Sequence, residues 1–501
     1  MKFLAFGIDG LSYDAIKQAI ASGVTPNIAN LSAKTPILKT RCTWPPHTAS
    51  GWTSLFSGLL PGEHGHFQFW NCQSEDMSLQ VTQRKDANVK MLWDIFHDVG
   101  WKVGLMNVPM THPADGRFEF EFTWPLHHTL RYTHPPGLLG RIKEADGLIL
   151  SDLATMCTGE TNYWKKAISY IKKRTRGTLA IIRENPVDAL FIVYSELDRV
   201  LHHFWGQSSA SNADEANASE PPAASVVLQA IDAALGEYLP LLADDGVILI
   251  ASDHGFGPAK GYNLIEDTLE QYRFLTANNA GQIIPEKSHA FMSAPGSFGI
   301  NFNLVGRQSF GIVDYSEIDS LSSEISDLCL SMKSKRGEPV FKAVVPKSLC
   351  YNSHPLAPDL LLVPHDPGLT VGKGLSRGIA RPLIIDGQHR LSGMALVSGL
   401  GQSDILKKHD LAIEDVLPSI LKGLELGSEI PGRVLHRGTM NEAPFNTLPK
   451  YGLPIDSWVD DLPTQYRFQP IEYEKLNMWA EATYHESRAD AEERLKAMGY
   501  L

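Results

Sequence analysis

Short apolar runs separated by amphipathic stretches of helical period constrain this chain more than any other feature. The runs are Phe3–Ile8, Lys102–Val108, Ala189–Tyr194, Val247–Ala251, Leu360–Val363 and Met394–Val397, each of four to seven residues. That length is too short for a buried helix and suits a strand covered on both faces. The stretches between them, such as Met91–Asp98, Tyr163–Glu184 and Ser225–Leu242, carry the apolar stripe of helices that cover such a sheet. The pattern predicts an α/β fold, a mostly parallel central sheet with helices on both faces, interrupted by insertions. No segment repeats at roughly 20–50 residues, which argues against solenoids and propellers.

Three regions depart from the rhythm. Residues 109–150 are rich in His, Pro, Gly and aromatics and read as an irregular insertion over one end of the sheet. Residues 208–225 are small and polar and read as a mobile loop. The tail from about residue 432 is rich in Tyr, Trp, Pro and acids and ends in a helical pattern, Ser487–Met498. The expected organisation is a catalytic unit over 1–431 with insertions at about 109–150 and 260–385, and an extension over 432–501 packing on the core. Aromatics and histidines in the insertions (Trp124, His127, His128, Tyr132, His289) either line a pocket or simply pack.

Charge and cysteine usage narrow the function classes. The 501 residues carry 45 Lys+Arg against 57 Asp+Glu, a formal net charge of -12. That balance argues against a nucleic-acid binder that works by neutralising phosphates. It leaves room for a small anionic substrate, because a metal site supplies local positive charge. No stretch reaches the roughly 18–20 consecutive apolar residues of a membrane span. The five cysteines, Cys42, Cys72, Cys157, Cys329 and Cys350, are odd in number and scattered. They read as reduced thiols of a cytoplasmic protein.

The chemistry gathers at the ends of the apolar runs, where open α/β sheets bind ligands. Asp9 follows the first run directly and is either a metal ligand or a helix cap. Val247–Ala251 empties into Ser-Asp253-His254-Gly, where a turn allows adjacent side chains to face one ion. Carboxylate oxygen beside imidazole nitrogen suits Zn or Mn, and a capped helix start is the competing reading. After Ala189–Tyr194, Asp198 and His202 stand four apart, on one face of a helix if a turn begins there; they are then chelators or a surface pair. His203 points elsewhere. His389, in Gly-Gln-His-Arg before the last run, reads as a loop histidine, a ligand or merely solvated. Pro45 and Pro46 place Thr48 near the start of a helix, where N–H groups and the dipole favour a phosphoryl anion. Its hydroxyl is a nucleophile only when activated, and is otherwise an N-cap.

Taken in order, these motifs resemble the alkaline phosphatase superfamily. Within it the likeness is to the type I phosphodiesterase/nucleotide pyrophosphatase family, on the side of its bacterial and archaeal phosphohydrolase or phosphomutase branch. Supporting details are Pro-Gly-Glu-His64-Gly after the Trp-rich helix, Asn107-Val-Pro after the second run, and Ala357-Pro-Asp359. The resemblance implies two divalent metals, zinc or else manganese. Asp198, His202 and His389 would hold one; Asp9, Asp253 and His254 would hold the other, which also takes the Thr48 hydroxyl. It further implies a phosphothreonine intermediate at Thr48 and a small-molecule phosphoester substrate.

The chain also departs from the family. Nucleotide pyrophosphatases carry an Asn as phosphate-oxygen donor where Phe69 stands here, with Gln68 or Asn107 as the candidate replacements. The Cys/Ser-x-Pro-x-Arg pattern of sulfatases is missing around Cys42. The expected activity is a metal-dependent phosphodiesterase; the alternatives are a phosphomutase or phosphomonoesterase of the same superfamily, or a non-catalytic binding protein that retains the fold.

Overall fold

A computed structural model describes residues 1–71, 79–87, 89–124, 133–138, 160–208, 222–351, 354–378, 385–400, 410–426 and 469–472, with isolated positions at 140, 155, 157 and 474. The centre is a nine-stranded sheet in the order Asp410–Ala412, Leu38–Arg41, Ser392–Ser398, Val247–Ala251, Phe3–Ile8, Ala189–Tyr194, Val103–Met106, Phe120–Phe122, Thr133–His134. The five strands from Val247–Ala251 to Phe120–Phe122 are mutually parallel. Ser392–Ser398 runs antiparallel to both of its neighbours, and Thr133–His134 runs antiparallel at the far edge.

The period-2 alternation of the first strand shows why the sheet is covered twice. Leu4, Phe6 and Ile8 join one core with the helices Tyr13–Ala21, Tyr163–Glu184 and Ala223–Tyr238. Phe3 and Ala5 join another with Thr48–Ser57, Leu92–Asp98 and Val416–Gly423. A strand with apolar side chains on both faces is stable only between two helical layers.

Several expectations require correction. The run Leu360–Val363 is not in the central sheet; it lies in a four-stranded antiparallel sheet with Ala290–Met292, Gly299–Phe302 and Phe341–Pro346. Apolar runs look the same whenever both faces are covered, and here helix Ile318–Ser331 and neighbouring loops build a separate core around Phe291, Ile300 and Leu362. The region 109–150 is not wholly an irregular insertion, since Phe120–Phe122 and Thr133–His134 extend the main sheet. Three- and two-residue strands carry too little periodicity to be read. Residues 223–225 belong to a buried helix start rather than a loop, and 209–221 lie outside the described residues. So do His127, His128, Tyr132, and the segment Ser487–Met498. Of the C-terminal extension, Gln469 and Ile471 bond to Ser225 and Gln229 on helix Ala223–Tyr238. Cys42, Cys157, Cys329 and Cys350 are free thiols. Among the described residues no helix is long and apolar enough to cross a membrane.

The Ala-Pro-Asp motif proves to be a clamp in the second sheet. Asp359 accepts from Arg307 Nη1 and Nη2 at 2.9 and 2.6 Å, from the Phe302 N–H at 2.7 Å, and pairs with Lys347 Nζ at 2.8 Å. Burial alone would raise its pKa, but the two cations hold it below the ordinary value. Asp359→Ala strands both cations and is expected to cost about 3 kcal/mol, read as a lower urea midpoint at unchanged slope.

Candidate active site

Most of the candidate ligands follow the ends of central-sheet strands, and His389 comes from a separate two-stranded sheet. Asp9 follows Phe3–Ile8, and Gly10 takes φ 77°, a left-handed turn that brings the chain back against Asp198 and Phe256. Asp253 and His254 follow Val247–Ala251, and Asp198 and His202 lie on helix Glu196–His203. His389 corrects the loop expectation: it stands on a strand, Gly387–Arg390, paired antiparallel with Gly255–Pro258 so that it faces Phe256. Thr48 opens helix Thr48–Ser57, whose N-cap is His47. Gly51, one turn on, lets this helix lie against Asp253, because a Cβ there would come within 2.9 Å of the Asp253 Cβ.

These elements bring all seven candidate residues together. Thr48 Oγ1 lies 3.3 Å from His254 Nε2. That nitrogen is 3.1 Å from Asp253 Oδ2, 3.6 Å from Asp9 Oδ1 and 4.0 Å from Asp198 Oδ1. On the other side, Asp198 Oδ1 is 3.1 Å from His389 Nε2 and 3.6 Å from His202 Nε2. The His254 and His389 rings stack with centroids 3.7 Å apart. Two donor groups result, Asp198–His202–His389 and Asp9–Asp198–His254, with ligand atoms within 4.8 Å of one another in each. Asp198 is common to both. Asp253 borders the second group rather than completing it alone.

The hydrogen bonds fix how these groups present themselves. His202, His254 and His389 each set Nδ1 against a backbone carbonyl, of Gly387 (3.1 Å), Gly255 (3.2 Å) and Pro46 (3.0 Å) respectively. The proton therefore sits on Nδ1, and the Nε2 lone pairs converge on the site. His202 Nε2 and His389 Nε2 approach to 2.9 Å, a contact of two lone pairs that a shared cation relieves. Among the described residues Asp9 Oδ1 and Asp253 Oδ2 are buried without a hydrogen-bond partner, while Trp52 Nε1 donates to Asp9 Oδ2 and the Gly10 N–H to Asp253 Oδ1. Orphaned carboxylate oxygens beside inward imidazole lone pairs fit divalent cations of the zinc or manganese type.

Electrostatics point the same way. Burial, then the charges of Asp253 and Asp198, push Asp9 well above the carboxylate range; burial and Asp198 push Asp253 up to about 7. Burial would also raise Asp198, but the imidazoles around it hold it low. Burial lowers His202 to about 4, His47 to about 3 and His254 well below its ordinary value. The site thus disfavours its own full set of negative charges until a cation compensates them.

Residues outside the predicted set position the predicted ones. Trp52 falls four residues after Thr48, hence on the same helix face, and from within the core its indole N–H reaches Asp9. Arg390 donates to the carbonyls of Pro258, Pro367, Gln388 and His389, tying the His389 strand to its neighbours. Asp386 caps the turn after His202 through the Trp205 and Gly206 N–H groups. His64 bonds Ser54 and His66 bonds Thr53, so the His-Gly motif braces the Thr48 helix from outside the site.

Asn107 is buried, and its Nδ2 donates to the Val193 carbonyl, joining two strand ends. Gln68 Nε2 bonds Ser293 Oγ at 3.4 Å. Phe69 packs edge-on against His47 at 4.6 Å and lies tilted against Trp124 at 4.8 Å, and His289 is exposed.

Comparisons with known proteins agree with this architecture. Among curated proteins none matches the chain by sequence. The fold is shared with phosphonoacetate hydrolase from Sinorhizobium meliloti 1021, seen with phosphonoformate, at 14% identity and a TM-score of 0.53, over 84% of this chain and 95% of that one. It is shared also with human ectonucleotide pyrophosphatase/phosphodiesterase 5, at 13% identity and a TM-score of 0.52, over 85% and 95%. Residues 3–381 match the type I phosphodiesterase/nucleotide pyrophosphatase family. The chain belongs to that family and is a phosphoester hydrolase.

Proposed function

We propose that this hydrolase is a phosphodiesterase acting through Thr48 with two divalent cations, zinc or manganese. The observation that carries the reading is the Thr48 hydroxyl, at a helix N-terminus and 3.3 Å from His254 Nε2, bordering two donor groups that share Asp198. Asp198, His202 and His389 would hold one cation; Asp9, Asp253 and His254, with the Thr48 hydroxyl, the other. When bound, the cations supply the charge that lowers the hydroxyl pKa and offsets the phosphoryl oxygens. Thr48 Oγ1 forms its bond to phosphorus as the bond to the leaving alcohol breaks on the opposite side. Water then displaces the threonine and releases a phosphate monoester. The helix N-terminus, one of whose first N–H groups is taken by the His47 cap, turns its positive dipole end toward the transferred group. Residues 1–431 make up the catalytic unit in this reading.

The preference for a diester follows from Phe69. Where the family places an amide donor, this chain places a phenyl ring packed on His47 and Trp124. A dianionic monoester loses a donor there, while a diester sets an apolar ester group against the ring. The net charge of -12 adds a weak, salt-screened penalty for the more highly charged substrate. Paired kinetics on one aryl leaving group at fixed ionic strength test this. The diester is expected to show the higher kcat/KM and the sulfate ester to be poor. A tenfold preference for the monoester, about 1.4 kcal/mol, points instead to a phosphomonoesterase or phosphomutase.

A further inference from the structure

We propose that His47 is a further catalytic residue, whose Nε2–H donates to a non-bridging oxygen of the phosphoryl group transferred to Thr48. The proposal rests on the phosphoryl-transfer reading above.

Three observations carry it. His47 Nδ1 accepts the Ala49 N–H at 3.1 Å, so the ring's proton is on Nε2, at the far side of the imidazole from the helix. The ring packs edge-on against Phe69, with the planes at 64° and the centroids 4.6 Å apart. It is buried and adjoins Thr48 in the chain.

Capping alone does not explain the choice of residue. An N-cap needs a single acceptor, and Ser, Thr, Asn or Asp supply it with fewer atoms. Histidine adds a second, oppositely directed nitrogen that carries a proton, beside the nucleophile. A preorganised donor of this kind contributes about 10²–10³ in kcat where charge develops on a transferred group. Phe69 then has a positive role: it holds the imidazole edge in one orientation.

His47→Asn separates the two functions, because asparagine retains the cap but does not reach as far as Nε2. With metal-loaded enzyme and one aryl diester, kcat is expected to fall about 100-fold while KM stays within threefold. Metal content and Tm should match the parent, and orthovanadate binding measured by calorimetry should weaken. His47→Ala loses cap and donor together, so it should lower Tm as well, with no further loss in kcat. A His47→Asn enzyme within threefold of parental kcat overturns the proposal. So does a loss of kcat that tracks loss of metal, which makes His47 a positioning residue only. Thr48→Ala is measured alongside: if it remains active, the underlying reading fails and takes this proposal with it, whereas an inactive Thr48→Ala beside a fully active His47→Asn sinks this proposal alone.

Discussion

Thr48→Ala removes turnover by about 10³-fold or more and leaves fold and metal content in place, because the hydroxyl is the reacting atom yet one contact among many in the structure. The substitution deletes a hydroxyl and a methyl group at the first position of helix Thr48–Ser57. Alanine is the best helix former, and the His47 cap on the Ala49 N–H is untouched. The lost contact with His254 Nε2 costs about 1 kcal/mol. Steady-state rates, elemental analysis and thermal unfolding together give the result. Intact-mass trapping with a slow substrate should show a phosphoryl adduct in the parent and none in the variant. A variant with near-parental turnover ends the covalent reading.

The site was legible in the sequence to the extent that strand ends were. Asp9, Asp198, Asp253 and His254 follow apolar runs whose length and flanks are unambiguous, and the i,i+4 pair Asp198 and His202 announces its helix. His389 gives a weaker signal, because Gly387–Arg390 is a four-residue strand whose partner, Gly255–Pro258, lies far away in the chain. The same limit hid the edge strands Phe120–Phe122 and Thr133–His134, whose order comes from the sheet and not from their own pattern. The run Leu360–Val363 reads as a strand and is one, but its sheet does not follow from the run, since burial on two faces leaves the same composition in parallel and antiparallel settings. Trp52 was legible as a helical apolar residue, while its Nε1–H to Asp9 depends on a contact across 43 residues. His47 carried no sequence signal of its own beyond standing next to Thr48. What made it visible was the direction of one hydrogen bond.

Removing the metals should abolish turnover, and it should destabilise the fold in a way that depends on pH with a definite sign. In the metal-free site Asp9 and Asp253 titrate above their ordinary value of 3.8, Asp253 at about 7. A raised folded-state pKa means the fold favours the protonated acid. The stability tied to that proton is complete below about 3.8 and is lost as pH rises through about 7. Cation binding requires the same carboxylates deprotonated, so affinity rises across that window while the carboxylates' own contribution to the metal-free fold is lost. His202, lowered to about 4, is already neutral at pH 5 in the folded protein and takes no proton that would compete with the cation, although its own contribution to the metal-free fold runs the other way and is lost as pH falls from 6.5 toward about 4. The gap in Tm between metal-loaded and chelator-treated protein is therefore expected to be wider at pH 7.5 than at pH 5. A hundredfold excess of cation over Kd contributes about 2.7 kcal/mol at each occupied site. Thermal unfolding with and without zinc or manganese at the two pH values measures the gap, and rates on the same samples show whether turnover returns with the metal. A gap that narrows on going to pH 7.5 contradicts the assignment of buried carboxylates as ligands. Full activity after exhaustive chelation removes the metals from the mechanism altogether.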